Sequence, residues 1–255
     1  MTTKRVLPVS YPTALFTLST ARAKWQNTPV PGDRAINAEQ WNELDPGNAG
    51  GILNRLIAGN VGVNEALASQ GPTTGNLKAS ADRLGMFCSH YHQALDNGIT
   101  RGWFSAGARA HYNRDLAATT IPDLITYDDI DTVAQNIVDG EAARQTAEGG
   151  GFKPMTNPTA SEIAALIAPF RALRNQSTAA QEVTDLAKET LAAVLVEAID
   201  LCTDIYDTVE YTYRKDPDSS SRRQKSERWG LVYVTIPDAP VPPTPTPTPP
   251  ATPAH

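Results

Sequence analysis

Cys88, His92 and Asp96 recur at intervals of four, so on a helix they line one face. A thiolate, an imidazole and a carboxylate so spaced are the ligand types that bind zinc or another transition metal. A fourth ligand or an open position has to come from elsewhere in the chain, and His90 points away from that face. The ordinary reading has Cys88 packed in a core with His92 and Asp96 at its wet margin, and the chain is assigned no metal and no cofactor. There is no Glu-x-x-His pair of the di-iron bundle kind and no His-Glu-x-x-His. No Gly-x-Ser-x-Gly places a nucleophile. Asp45-Pro-Gly-Asn-Ala-Gly-Gly51 lacks the Lys-Ser/Thr of a phosphate loop and reads as a turn. Arg101, Arg109 and Arg114 lie among aromatics, a pattern able to stack on bases but more ordinarily used to pair with the acidic helix or another subunit.

Charge patterning is more informative. From 181 to 213 there are eight acids and one base, Lys188, and Glu197, Asp200, Asp204 and Asp207 form a ridge in steps of three and four. No cation stands at i+4 to relieve it. The next fifteen residues reverse the sign: Arg214, Lys215, Arg222, Arg223, Lys225 and Arg228 face only three acids. Arg228 to Ile236 reads as a β-strand carrying Trp229 and Tyr233. A lone strand leaves its backbone groups unpaired. Its one obvious mate within the chain is 5–10, limited to an edge by Pro8; the alternative mate is another subunit. Glu197, Asp200, Asp204 and Asp207, with Arg222, Arg223, Arg228, Trp229 and Tyr233, are therefore the expected interface between copies.

The elements that must position these groups are helices. Between 181 and 213, Ala187, Leu191, Val194, Ala198, Leu201, Ile205, Thr208 and Thr212 form a heptad seam. Leu195, Ile199, Cys202, Tyr206 and Val209 form a second beside it. Such a wide stripe suits a central bundle helix. Leu77, Ala81, Leu84, Cys88, Tyr91 and Leu95 make a similar stripe in 76–97, the expected antiparallel partner of 181–213. Capping boxes at Asn37, Thr126 and Thr159 open further helices. A weaker helix is expected over 50–69, and breaks at 98 and 175–178.

The fold class expected is all-α: an antiparallel helical bundle with one short C-terminal β-strand and a disordered or extended Pro/Thr-rich tail. The divisions are 1–36 (arm and first helix), 37–215 (bundle), 216–236 (basic segment and strand) and 237–255. The last holds nine prolines and four threonines, a polyproline II composition.

Bulk properties bound the function. The 255 residues carry a formal net charge of −6, which argues against general nucleic-acid binding. Two cysteines are too few for a disulfide framework. The N-terminus lacks the apolar core of a Sec signal, and no apolar run reaches membrane-spanning length. A soluble, cytoplasmic protein is the default expectation, with export by a dedicated system left open. The first functional reading is a non-enzymatic structural subunit of a self-assembling or larger assembly, filament-, tube- or sheath-like. The second is an adaptor using the Pro-rich tail, and the third a bundle metalloprotein or enzyme.

Overall fold

The computed structural model describes residues 2–45, 47, 50–118 and 120–236, and the Pro/Thr-rich tail lies outside them. The chain is an all-α protein with one two-stranded sheet. The elements are β1 (Thr2–Val6), α1 (Tyr11–Gln26), α2 (Ala38–Leu44), α3 (Ile52–Thr100), α4 (Tyr127–Glu148), α5 (Ala160–Tyr213), α6 (Ser219–Glu227) and β2 (Val232–Ile236). Short 3-10 turns lie at Pro31–Asp33, Ala106–Tyr112 and Gly149–Gly151.

The helix starts follow their capping residues. Asn37 accepts from the Gln40 amide at 2.8 Å, and the Gln40 side chain answers the Asn37 amide at 3.1 Å. Thr126 with Asp129 and Thr159 with Glu162 repeat the exchange. Each satisfies two amides that the first turn leaves orphaned.

The expected end of a helix at 69 and the expected break at 175–178 do not occur. α3 runs through Gly71-Pro72, and α5 runs through Pro169 and the expected break at 175–178. Proline removes one amide donor and crowds the preceding turn. Just after Pro72, Thr73 and Thr74 turn their hydroxyls back onto the Ser69 and Gln70 carbonyls. Gly98, expected just beyond the helix end, lies within α3, where its missing Cβ leaves room for the Phe104 ring.

The chain forms two compact units, residues 1–60 with 190–255 and residues 61–189. The core of the first joins Leu18 and Ala21 of α1, Leu53 and Leu56 of α3, and Val194, Ala198, Leu201, Ile205 and Val209 of α5 around Trp229 and Leu231. The second core joins Leu77, Leu84, Cys88, Tyr91 and Leu95 of α3, Ile130, Val133 and Ile137 of α4, and Ile163, Ile167 and Phe170 of α5. Each buried Leu or Ile contributes about 1.5–3 kcal/mol.

The expected pairing of 76–97 with 181–213 is corrected here. Leu84 and Leu201 are both buried, but in different cores. The stripe of 76–97 is met by α4 and the first turns of α5, and the stripe of 181–213 by α1 and the first turns of α3. Within the first unit Gly59 stands against Leu191, where a Cβ would come within 3.2 Å of the leucine Cδ1. This is the close helix approach that a glycine at 59 permits.

The C-terminal strand also departs from expectation. β2 is shorter than expected and pairs within the chain, antiparallel to β1, with Val6 opposite Val232 and Thr2 opposite Ile236. The mate is 2–6 and not 5–10, which keeps Pro8 out of the ladder. The basic segment also holds a helix that the serine run concealed. Asp218 caps α6 by accepting from the Ser220 and Ser221 amides.

Candidate functional site

In the second unit, Cys88, His92 and Asp96 do share a face of α3, but each has another role. Cys88 is fully buried, and burial pushes its thiol up to about 12. His92 is buried, and neither ring nitrogen has a hydrogen-bond partner among the described residues. Burial, then the Arg114 charge, lowers its pKa to about 4, against the opposing pull of Asp96. It stands edge-on to Tyr91 and Tyr112 as a neutral ring. Burial pushes Asp96 up, but Arg114 and Arg109 together outweigh that and hold its carboxyl below the usual range. Arg114 grips it bidentately at 3.1 and 2.9 Å, and Arg109 donates at 2.8 Å. Arg109 and Arg114 therefore pair with Asp96 of α3 and not with the acidic helix as expected, while Arg101 lies over Trp103. Among the described residues no three His, Cys, Asp or Glu side chains are placed to hold a metal ion.

A buried polar network in this unit escaped the sequence reading. Glu141 accepts from the hydroxyls of Tyr91 (2.8 Å) and Tyr112 (2.5 Å), from the Met155 amide (3.0 Å) and from Arg144. Arg144 is fully buried between the Phe104 and Phe152 rings and donates onward to the Lys153 carbonyl. Burial pushes Glu141 up, and its donors, Tyr112 foremost, bring it below the usual carboxylate range. The sole signal in sequence was the Glu-x-x-Arg spacing on α4. The carboxylate and the guanidinium satisfy each other, so the network clamps the 105–112 and 152–155 loops against α4 and leaves no group poised for chemistry.

In the first unit the acidic ridge finds cations from outside its own helix. Arg55 pairs bidentately with Glu197 at 2.7 and 3.0 Å. Arg5 of β1 reaches Asp207 at 2.5 Å and Glu210 at 3.1 Å. Asp200 and Asp204 are exposed and border a cleft with Asn42, Glu43 and Arg55. Trp229, expected to anchor an interface, is fully buried in the core, and its indole donates to the Tyr213 hydroxyl at 3.1 Å. Tyr233 is half-buried and donates to Glu210 at 2.9 Å. Both aromatic anchors are thus spent inside the subunit. Arg228 is exposed.

Two further surfaces of this unit are open. One is a groove of about 560 Å³ between α6, the end of α5 and the ribbon, lined by Arg214, Arg222 and Arg223. The other is the outer face of the ribbon. Strand alternation and the observed register put Lys4 and Val6 of β1 on one side with Val232, Val234 and Ile236 of β2. Arg5 and Tyr233 take the other side and bind α5. The four apolar residues of the outer side are 38–47% exposed. Neither outer edge of the ribbon has a strand partner among the described residues. No helix among them is long and apolar enough to cross a membrane. No family profile matches the chain, and no curated protein or solved structure matches it.

Proposed function

We propose that this chain is a non-enzymatic structural subunit that assembles with copies of itself through the β1–β2 ribbon. The observation that carries the reading is the stripe of Val6, Val232, Val234 and Ile236, exposed on one ribbon face, with no strand paired at either ribbon edge among the described residues. Exposed edges ordinarily invite pairing, and proteins that stay monomeric blunt them with charge or proline. Here one lysine, Lys4, stands on that face. A second copy brings the same stripe, so face-to-face stacking buries like against like. The sheet edges supply backbone donors and acceptors at defined spacing. Exposed Asp200 and Asp204 on one subunit and exposed Arg228 on another add complementary charge, which steers orientation more than it adds affinity. A contact that closes on itself gives a dimer, and one repeated along both edges gives a fibre or tube.

Sedimentation velocity of the full chain across a concentration series tests the proposal. Association is expected to grow with concentration, and the Val234→Lys, Ile236→Lys pair is expected to abolish it while the helical circular dichroism stays unchanged. A full-length protein that stays monomeric at the highest concentration, or a variant that assembles as well as the parent, overturns it and advances the adaptor reading.

A further inference from the structure

The groove beside α6 has chemistry that the ribbon contact does not use. Arg214, Arg222 and Arg223 line it, and none of the three forms an ion pair among the described residues. Their partners are neutral. Arg214 lies over the Tyr211 ring at 3.6 Å, Arg222 donates to the Asp216 carbonyl at 3.2 Å, and Arg223 donates to the Thr3 hydroxyl at 2.7 Å. Those contacts hold the guanidinium groups in place and leave most of their donors unspent.

Of the nearby carboxylates, Asp216 is met by Lys225 at 2.6 Å and Ser221 at 2.7 Å, while Glu210, which lines the groove, shares Arg5 with Asp207 and accepts from Tyr233. With Arg214, Arg222 and Arg223 set against Glu210, the groove lining keeps a net positive charge. Tyr213 adds a neutral donor: its oxygen accepts from Trp229, which leaves the O–H hydrogen to give. The N-terminus of α6 adds nothing, because Asp218 already takes the Ser220 and Ser221 amides.

We infer that the groove between α6, the end of α5 and β1 binds a phosphate-bearing ligand. Arginine forks match the paired oxygens of a phosphoryl group, and hydroxyl donors complete its shell. A space of about 560 Å³ exceeds one phosphate ion and suits a diphosphate or a phosphate ester. The site is independent of the ribbon face, so its ligand and the self-contact are read by different measurements.

Calorimetric titration of the full chain with pyrophosphate at about 0.1 M salt tests the inference, since that salt screens diffuse surface attraction. One-to-one binding is expected. Arg222→Gln with Arg223→Gln is expected to weaken it at least tenfold, and Arg214→Gln alone at least threefold, with circular dichroism confirming the fold. Arg228→Gln, outside the groove, is expected to leave it within twofold. A nucleoside triphosphate and vesicles containing phosphatidic acid identify the source. Competition by the nucleotide without vesicle flotation marks a soluble ester, and flotation displaced by pyrophosphate marks a lipid headgroup. No binding by the parent chain overturns the site. Citrate binding as tightly as pyrophosphate, or equal weakening by Arg228→Gln, does the same. Groove variants that abolish self-association without altering pyrophosphate binding assign the arginines to the subunit contact and also overturn it.

Discussion

The indole nitrogen of Trp229 donates to the hydroxyl of Tyr213 at 3.1 Å, joining the residue that closes the first unit's core to the last turn of α5. Trp229 has no exposed surface. Trp229→Ala removes the largest fully buried side chain of that unit, and we expect a loss of about 3–5 kcal/mol in urea unfolding. Trp229→Phe keeps most of the volume and loses the hydrogen bond, so about 1–2 kcal/mol is expected. An alanine variant within about 0.5 kcal/mol of the parent, the range of an ordinary surface change, would show that the residue is not in the core.

Two helical glycines should respond in opposite directions. A Cβ at Gly140 of α4 would stand 2.5 Å from the His111 carbonyl oxygen and 2.5 Å from the Tyr112 ring. The backbone there cannot yield without moving the 3-10 turn, so Gly140→Ala is expected to destabilise by about 1–3 kcal/mol. At Gly75 of α3 a Cβ meets nothing within 4 Å. Gly75→Ala should stabilise by about 0.5–1 kcal/mol through helix propensity alone. Thermal melts of the two variants check both signs, and a shared sign defeats the argument.

His92 gives the fold an acid-sensitive window. Its folded pKa is lowered to about 4 from 6.5, mainly by burial. As pH falls below 6.5 the unfolded chain takes up a proton that the folded chain refuses. The stability held above 6.5 therefore declines down to about 4 and then levels off. The total is on the order of 3 kcal/mol at about 1.36 kcal/mol per unit. Asp96, held below its usual range, is lost in the same direction at more acid pH. His92→Phe should flatten the curve between pH 4 and 6.5. Denaturant midpoints across that range measure it, and parallel curves for parent and variant would rule it out.

Both thiols should be silent in the native protein. Cys88 and Cys202 are buried, and burial pushes each to about 12. At pH 8 almost none is thiolate, the reactive form. Labelling by a thiol reagent is expected to follow the unfolding rate. Stoichiometric labelling within seconds in native buffer would contradict the burial of both.

Which face of each helix is buried, and where most helices begin, is written into the local residue pattern. Val194, Ala198, Leu201, Ile205 and Val209 lie inward as their heptad spacing requires. Asn37, Thr126 and Thr159 cap as their boxes require. Both signals are local, set by a 3.6-residue period and by amides within one turn. Partner choice is not local. The stripe of 76–97 could be met by any apolar stripe of matching width, and only the folded chain assigned it to α4 and the start of α5. The same holds for the breaks that did not form, since packing along α3 and α5 outweighs the roughly 3 kcal/mol that an interior proline costs. Trp229 and Tyr233 read as interface anchors while β2 lacked a mate. Once Thr2–Val6 supplied one, the ribbon turned Tyr233 toward α5, and Trp229, just ahead of it, closed the core. The Glu141–Arg144 network joins Tyr91, Tyr112 and Met155 from distant parts of the chain and exists only where the tertiary fold brings them together, whereas the groove sets Thr3 of β1 beside arginines that are already neighbours in the sequence.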